Sequence, residues 1–132
     1  MRWWFVVCLL AGCPSTPPPE CKTVDTTCAP GYVPTFTNVY NNTIKNGCGS
    51  TKSNCHSASN HAGGISFATQ DDAYAALLDA TRRRVVPGDP GCSEMIVRTD
   101  SPGEDYQMPP GDPLSVPERC ALIQWVVQGA NP

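Results

Sequence analysis

Eight cysteines among 132 residues constrain this chain more than any other feature. Core filling does not use so many thiols in so short a chain. Two uses remain: a disulfide framework in an oxidising compartment, or covalent attachment of a cofactor. The length suits one domain of modest size. Fourteen prolines and eleven glycines imply many turns and short elements. The formal charge is −3, and the longest basic run is Arg82-Arg83-Arg84. That argues against nucleic acid, whose binding needs clustered Lys and Arg. Arginines at a helix end are better explained as a match to the helix dipole.

The N-terminus bears on the compartment. Arg2 precedes an apolar run, Trp3-Trp4-Phe5-Val6-Val7-Cys8-Leu9-Leu10, too short to be a permanent membrane span. Leu10-Ala11-Gly12-Cys13 resembles the lipobox of bacterial lipoproteins. That resemblance implies a signal peptide over residues 1–12 and a lipid on Cys13. Pro14 in the next position, where Asp would mark retention, implies the outer membrane. Residues 13–34 then form a lipid-anchored tether, Pro-rich from Pro14 to Glu20 and extended. Cys21 and Cys28 lie within it, seven residues apart, and are expected to form a local disulfide.

Helical periodicity begins after Pro34. Phe36, Val39, Tyr40, Thr43, Ile44 and Gly47 recur at helical spacing, with Thr35 as the cap and Gly47 as the stop. Residues 48–64 carry no period and read as a loop. Thr69 and Asp72 have capping-box spacing. Behind them Ala73, Ala76, Leu77 and Ala80 make an apolar face, and Arg82 to Arg84 follow at its C-terminal end. Residues 92–98 suit a short helix. Ser101 to Pro113 is a polar loop interrupted by Met108. Ser115 and Glu118 form a second capping box. They open a last helix from Val116 to about Gln128, with Cys120, Ile123 and Val127 on one face, Leu122, Trp125 and Val126 widening it, and Gly129 as its stop. No strand pattern competes. The expected fold is therefore all-α: a small domain over residues 35–132 with long ordered loops. Loops of that length call for a cofactor or disulfides to hold them.

The chemistry gathers in Cys48-Gly49-Ser50-Thr51-Lys52-Ser53-Asn54-Cys55-His56. A cysteine followed directly by histidine is how haem is held covalently. The thiol adds to a vinyl group and the imidazole lies under the iron. The usual spacing is C-x-x-C-H. Here Lys52 replaces the first cysteine, and the nearest upstream thiol, Cys48, gives C-x6-C-H.

The ordered set of segments resembles a known family. It runs from Cys55-His56 through Gly63-Gly64-Ile65-Ser66-Phe67, Tyr74-Ala75-Ala76-Leu77, Val85-Val86-Pro87-Gly88-Asp89-Pro90 with Ser93, and Met108-Pro109-Pro110-Gly111. It closes with Leu114-Ser115 and Ile123-Gln124-Trp125-Val126-Val127-Gln128-Gly129-Ala130. This looks like the c-type cytochrome domain of planctomycete and myxobacterial exported proteins, over roughly Thr35 to Ala130. The likeness implies a cytochrome c-like fold and a haem c. It makes His56 the proximal ligand, Cys55 a thioether attachment and Met108 the distal ligand. Histidine with methionine suits electron transfer.

Three arrangements of the motif stay open. A haem attaches through Cys55 alone or through Cys48 and Cys55 together. Alternatively, Cys48–Cys55 is a disulfide in a haem-free binding or scaffold domain. In the third, Cys48, Cys55, His56 and His61 bind zinc, although thiols in an oxidising compartment tend to pair. With Cys13 lipidated, six cysteines remain in the mature chain, which permits fifteen pairings. The even division is Cys21–Cys28, Cys48–Cys55 and Cys92–Cys120, the last stapling the C-terminal helix for about 2–4 kcal/mol. Tyr40, Phe67 and Trp125 are expected to help line a haem pocket. A hydrolase is rejected, since no Gly-x-Ser-x-Gly context exists and the carboxylates sit in caps or polar loops. The expectation is a carrier rather than an enzyme: a lipid-anchored cytochrome of the bacterial cell envelope, periplasmic or outer-membrane. It would exchange electrons with an envelope redox protein, touch the membrane through its lipid, and bind no nucleic acid.

Overall fold

The computed structural model describes residues 16–49 and 55–132. The N-terminal apolar run, Cys13 and Lys52 lie outside the described residues.

Among the described residues, four helical stretches and one 3-10 turn carry the fold and there is no strand. Helix α1 (residues 36–47) starts at Thr35, whose Oγ1 accepts from the Asn38 N–H at 3.3 Å. Its middle, Tyr40–Ile44, is a π-helical turn. A π turn rotates less per residue than an α turn. That lag returns Cys48, at the helix end, to the buried stripe formed by Phe36, Val39, Tyr40, Thr43 and Ile44.

Helix α2 (Gln70–Leu77) is capped by Thr69, which accepts from the Asp72 N–H. It is shorter than its apolar pattern predicts. The Asp79 carboxylate accepts from the Thr81 N–H at 2.9 Å and the Thr81 hydroxyl at 2.7 Å. That local turn competes with the helix and leaves Ala80 exposed. Helix α3 is Glu94–Thr99. Ahead of it, fully buried Ser93 accepts from the Val86 N–H at 2.8 Å and donates to the Asp89 carbonyl at 2.7 Å. One hydroxyl thus folds the Val85–Pro90 turn.

Helix α4 (Val116–Val127) opens with a complete capping box between Ser115 and Glu118. Both α1 and α3 pack on it. It buries Cys120, Ala121, Leu122, Ile123, Trp125 and Val126, whereas Val127, expected on the inner face, is 38% exposed. The Phe36 ring sits 5.0 Å from Trp125 and 4.9 Å edge-on from Tyr74. This aromatic trio joins α1, α2 and α4.

The disulfides overturn the expected local pairing. Those between described residues are Cys21–Cys92 and Cys28–Cys120, with sequence separations of 71 and 92, in place of Cys21–Cys28 and Cys92–Cys120. Residues 21–28 run along the domain, so each cysteine meets a different distant element. Lys22 pairs with Asp100, which Arg119 also contacts at 3.1 Å. The Lys22 N–H donates to the Gly91 carbonyl at 2.9 Å. A side chain at Gly91 would bring its Cβ to 2.6 Å from the Lys22 carbonyl oxygen, so only glycine allows that approach. Gln124 donates to the Thr26 carbonyl at 2.7 Å. Residues 21–31 are therefore built into the domain as well as leading to it.

Candidate functional site

A single cleft of about 270 Å³ gathers residues from across the chain. Cys48 enters from the end of α1, His56 and Phe67 from the loop, and Leu77 from the end of α2. Met95 comes from α3, and Met108, Pro109 and Pro110 from the polar loop. The cleft thus unites Cys48, His56 and Met108, three of the four residues the sequence marks for a cofactor. Cys55, the fourth, does not line it and is disulfide-bonded. Cys48 is a free thiol, so the expected Cys48–Cys55 bridge is absent.

Backbone pairing holds His56 in place. The Phe67 N–H donates to the His56 carbonyl at 2.8 Å, and the Ala62 N–H to the Cys55 carbonyl at 2.8 Å. The Tyr40 hydroxyl donates to the carbonyls of Phe67 and Ala68, each at 3.2 Å. Tyr40 therefore positions the Phe67 segment from the core instead of lining the cleft. Trp125 is likewise a core residue away from the cleft. Phe67 does line it, its ring 5.0 Å from that of His56.

The His56 Nδ1 is buried and has no hydrogen-bond partner. Burial lowers the pKa of the imidazole. The nearby carbonyls of Ala62 and Ile65 pull the other way, and the charges of Arg84 and Arg98 lower it further. The ring is kept neutral, which is the form that ligates a metal.

The Met108 loop is organised from within. Gln107 is buried; its amide donates to the carbonyls of Pro109 at 2.7 Å and Gly111 at 3.1 Å, while its oxygen accepts from the Gly103 N–H at 2.7 Å. Arg98 holds the same loop from α3. Its carbonyl accepts from the Met108 N–H at 3.1 Å, and its guanidinium donates to the Tyr106 carbonyl at 3.3 Å.

Several cleft residues escaped the sequence reading: Met95, Arg82, Arg84, Arg98 and Glu94. The arginine run was legible only as a helix terminator. Arg84 does serve that role, donating to the Ala76 carbonyl at 3.0 Å, and it also reaches the Gly63 carbonyl at 2.8 Å. Nothing in sequence places Arg98 beside it. Together three arginines against one glutamate give the cleft a positive potential in a chain of charge −3, which suits an anionic ligand. The zinc arrangement has no support, because among the described residues no three His, Cys, Asp or Glu group around a metal position.

Residues 53–112 match the family model for planctomycete cytochrome C. The chain carries a planctomycete cytochrome c-like segment. The matched span is a little under half of the chain. It contains Cys55, His56 and Met108, while Cys48 lies outside it. No curated protein and no solved structure matches the chain. The residue types at the cleft, an imidazole, a thioether and a thiol among apolar walls, are those that could hold a haem.

Burial pushes the Cys48 thiol up to about 12, with a smaller push from the Glu118 charge. An unfolded cysteine ionises near pH 8.5. Between those values the unfolded chain releases a proton that the folded chain keeps, so stability falls as pH rises through that window. In urea titrations of the unliganded chain between about pH 8.5 and 11, Cys48→Ala should show a flatter decline than the parent. Equal slopes would contradict the burial of this thiol. Iodoacetamide near pH 8 should label Cys48 only after denaturant is added, because the thiolate is the nucleophile.

Proposed function

We propose that the chain is a lipid-anchored electron carrier of the bacterial cell envelope that holds one haem covalently. The observation that supports this most is that Met108, from a loop far along the chain, meets Cys48 and His56 in one cleft. His56 and Met108 would hold the iron, and a bound haem supplies a one-electron couple whose potential this ligand pair raises. Ile65, Phe67 and Leu77 wall the site against water. Arg84 and Arg98, which line the cleft, would balance the carboxylates of a bound haem. No residue of the cleft is needed as a nucleophile or general base, so the protein acts as a carrier and not as an enzyme. A lipid on Cys13 places it at the outer membrane or facing the periplasm, and its partner is an envelope redox protein.

The test is a visible spectrum of the full chain from a host that matures c-type haem. Reduction with dithionite should give a sharp α band, and the haem should survive denaturation. His56→Ala should abolish the low-spin spectrum. Absence of any Soret band would overturn the proposal.

A second reading has its own support. Cys55 is disulfide-bonded, and a cleft of about 270 Å³ falls just below the roughly 300–1,000 Å³ of ordinary ligand pockets. Both favour a haem-free, disulfide-stapled scaffold domain, and that reading predicts the missing Soret band.

A further inference from the structure

The geometry points to Arg84 and Arg98 as a pair of positioning residues, one for each loop that brings a haem-ligand candidate to the cleft. This rests on the haem reading above and goes beyond charge balance. The same two guanidiniums that would meet the cofactor's carboxylates also hold the backbones of the His56 and Met108 loops.

The two halves are built alike. Arg84 lines the cleft and forks between two carbonyls, donating from Nη1 to Ala76 at 3.0 Å and from Nη2 to Gly63 at 2.8 Å. Ala76 belongs to α2, and Gly63 to the loop that carries His56. Two backbone bonds close that loop, from the Ala62 N–H to the Cys55 carbonyl and from the Phe67 N–H to the His56 carbonyl. Arg98 also lines the cleft and spans two partners. Its Nε donates to the Glu94 carboxylate at 2.8 Å, and its Nη1 to the Tyr106 carbonyl at 3.3 Å, in the loop that carries Met108. Its own carbonyl accepts from the Met108 N–H at 3.1 Å.

Both arginines stand on one element. The Met95 N–H donates to the Arg84 carbonyl at 2.9 Å, which fixes Arg84 to the first turn of α3, and Arg98 lies in its last turn. The charge of each lowers the pKa of His56, so both stand within electrostatic reach of the imidazole. A guanidinium already held by two partners loses little freedom when it meets a carboxylate, which its planar fork also matches. Arg82 is the natural control. It lines the same cleft with the same charge, but among the described residues its side chain bonds to neither loop.

The test takes the full-length protein and its variants from the haem-maturing host. Each is read by residue-resolved amide hydrogen exchange and by the visible spectrum of the ferric form. Arg98→Gln should speed exchange at Met108 about ten- to hundredfold while Ala62 and Phe67 keep the parent rates. Arg84→Gln should do the reverse. In the spectrum, Arg98→Gln should lose the weak thioether-to-iron band, and its potential should fall, because methionine ligation raises it. Arg82→Gln should keep the parent exchange rates in both loops and the parent band. Arg84→Lys and Arg98→Lys keep the charge but lose the fork. They should show the same loop-by-loop pattern more weakly, and they serve where a glutamine variant fails to fold. Exchange altered equally in both loops, or in neither, would overturn the inference while leaving the electron-carrier reading standing. So would a thioether band kept in Arg98→Gln, or lost equally in Arg82→Gln. A parent protein with no haem at all would overturn both.

Discussion

Cutting the indole of Trp125 back to alanine should remove about 3–5 kcal/mol of stability. Trp125 is 1% exposed, and its ring lies 5.0 Å from that of Phe36. Its Nε1–H donates to the Asn131 carbonyl at 2.8 Å. The substitution therefore opens a cavity where α1 meets α4 and also releases the C-terminal residues from the helix. Total stability for a domain of this size is only about 5–15 kcal/mol, so a loss of this size moves the chain close to unfolding. Urea denaturation would show it as a lower midpoint with an unchanged slope. Trp125→Phe separates the two contributions. It keeps most of the ring and loses the hydrogen bond, worth about 0.5–1.5 kcal/mol. A loss below about 1 kcal/mol for the alanine variant would mean that this residue is not the centre of the core.

Removing the Cys28–Cys120 bridge should be comparably severe. Its sequence separation is 92. For a loop of that length the chain-entropy account predicts about 4–5 kcal/mol, and losses of about 2–5 kcal/mol are typical in small domains. Cys28→Ala with Cys120→Ala is the suitable variant, because serine at fully buried Cys120 would strand a hydroxyl. The Cys21–Cys92 bridge, with a separation of 71, should matter almost as much, since loop entropy grows only with the logarithm of length. Removing both should cost less than the sum if residues 16–34 detach as one unit, because coupled sites do not add. The measurement is urea unfolding of each variant under non-oxidising and oxidising conditions. Indistinguishable midpoints for the parent and Cys28/Cys120 variants would show that the bridge adds nothing.

These bridges change the meaning of the N-terminal segment. From sequence, residues 13–34 read as a tether. In the fold, Cys21, Lys22, Thr26, Cys28 and Gly31 each bond to a distant part of the domain. If Cys13 carries a lipid, only the few residues before Cys21 lie between the lipid and the first of these attachments. A cofactor in the cleft would then be held close to the membrane surface, where an envelope redox partner could meet it.

What the sequence determined by itself is local. Thr35, Thr69 and Ser115 each cap a helix through a bond to the residue three ahead. The 3.6-residue stripe of α1 is buried as its spacing predicts. These features depend on neighbours within one turn, so composition and spacing carry them. His56 and Met108 were legible because a motif and a family pattern mark them.

Tertiary structure alone decided the rest. It paired the cysteines across 71 and 92 residues, where many pairings were equally consistent with the sequence. It sent Tyr40 and Trp125 into the core, because a large aromatic face is buried equally well against a core or a cofactor. It brought Arg84 and Arg98 to the same cleft, although each satisfies its local helix and gives no sign of the other. The π turn shows how fine the margin is. A small lag in helix rotation separates a thiol on the flank of α1 from one lining the cleft. No local pattern encodes that lag, which depends on how α1 packs against the rest of the fold.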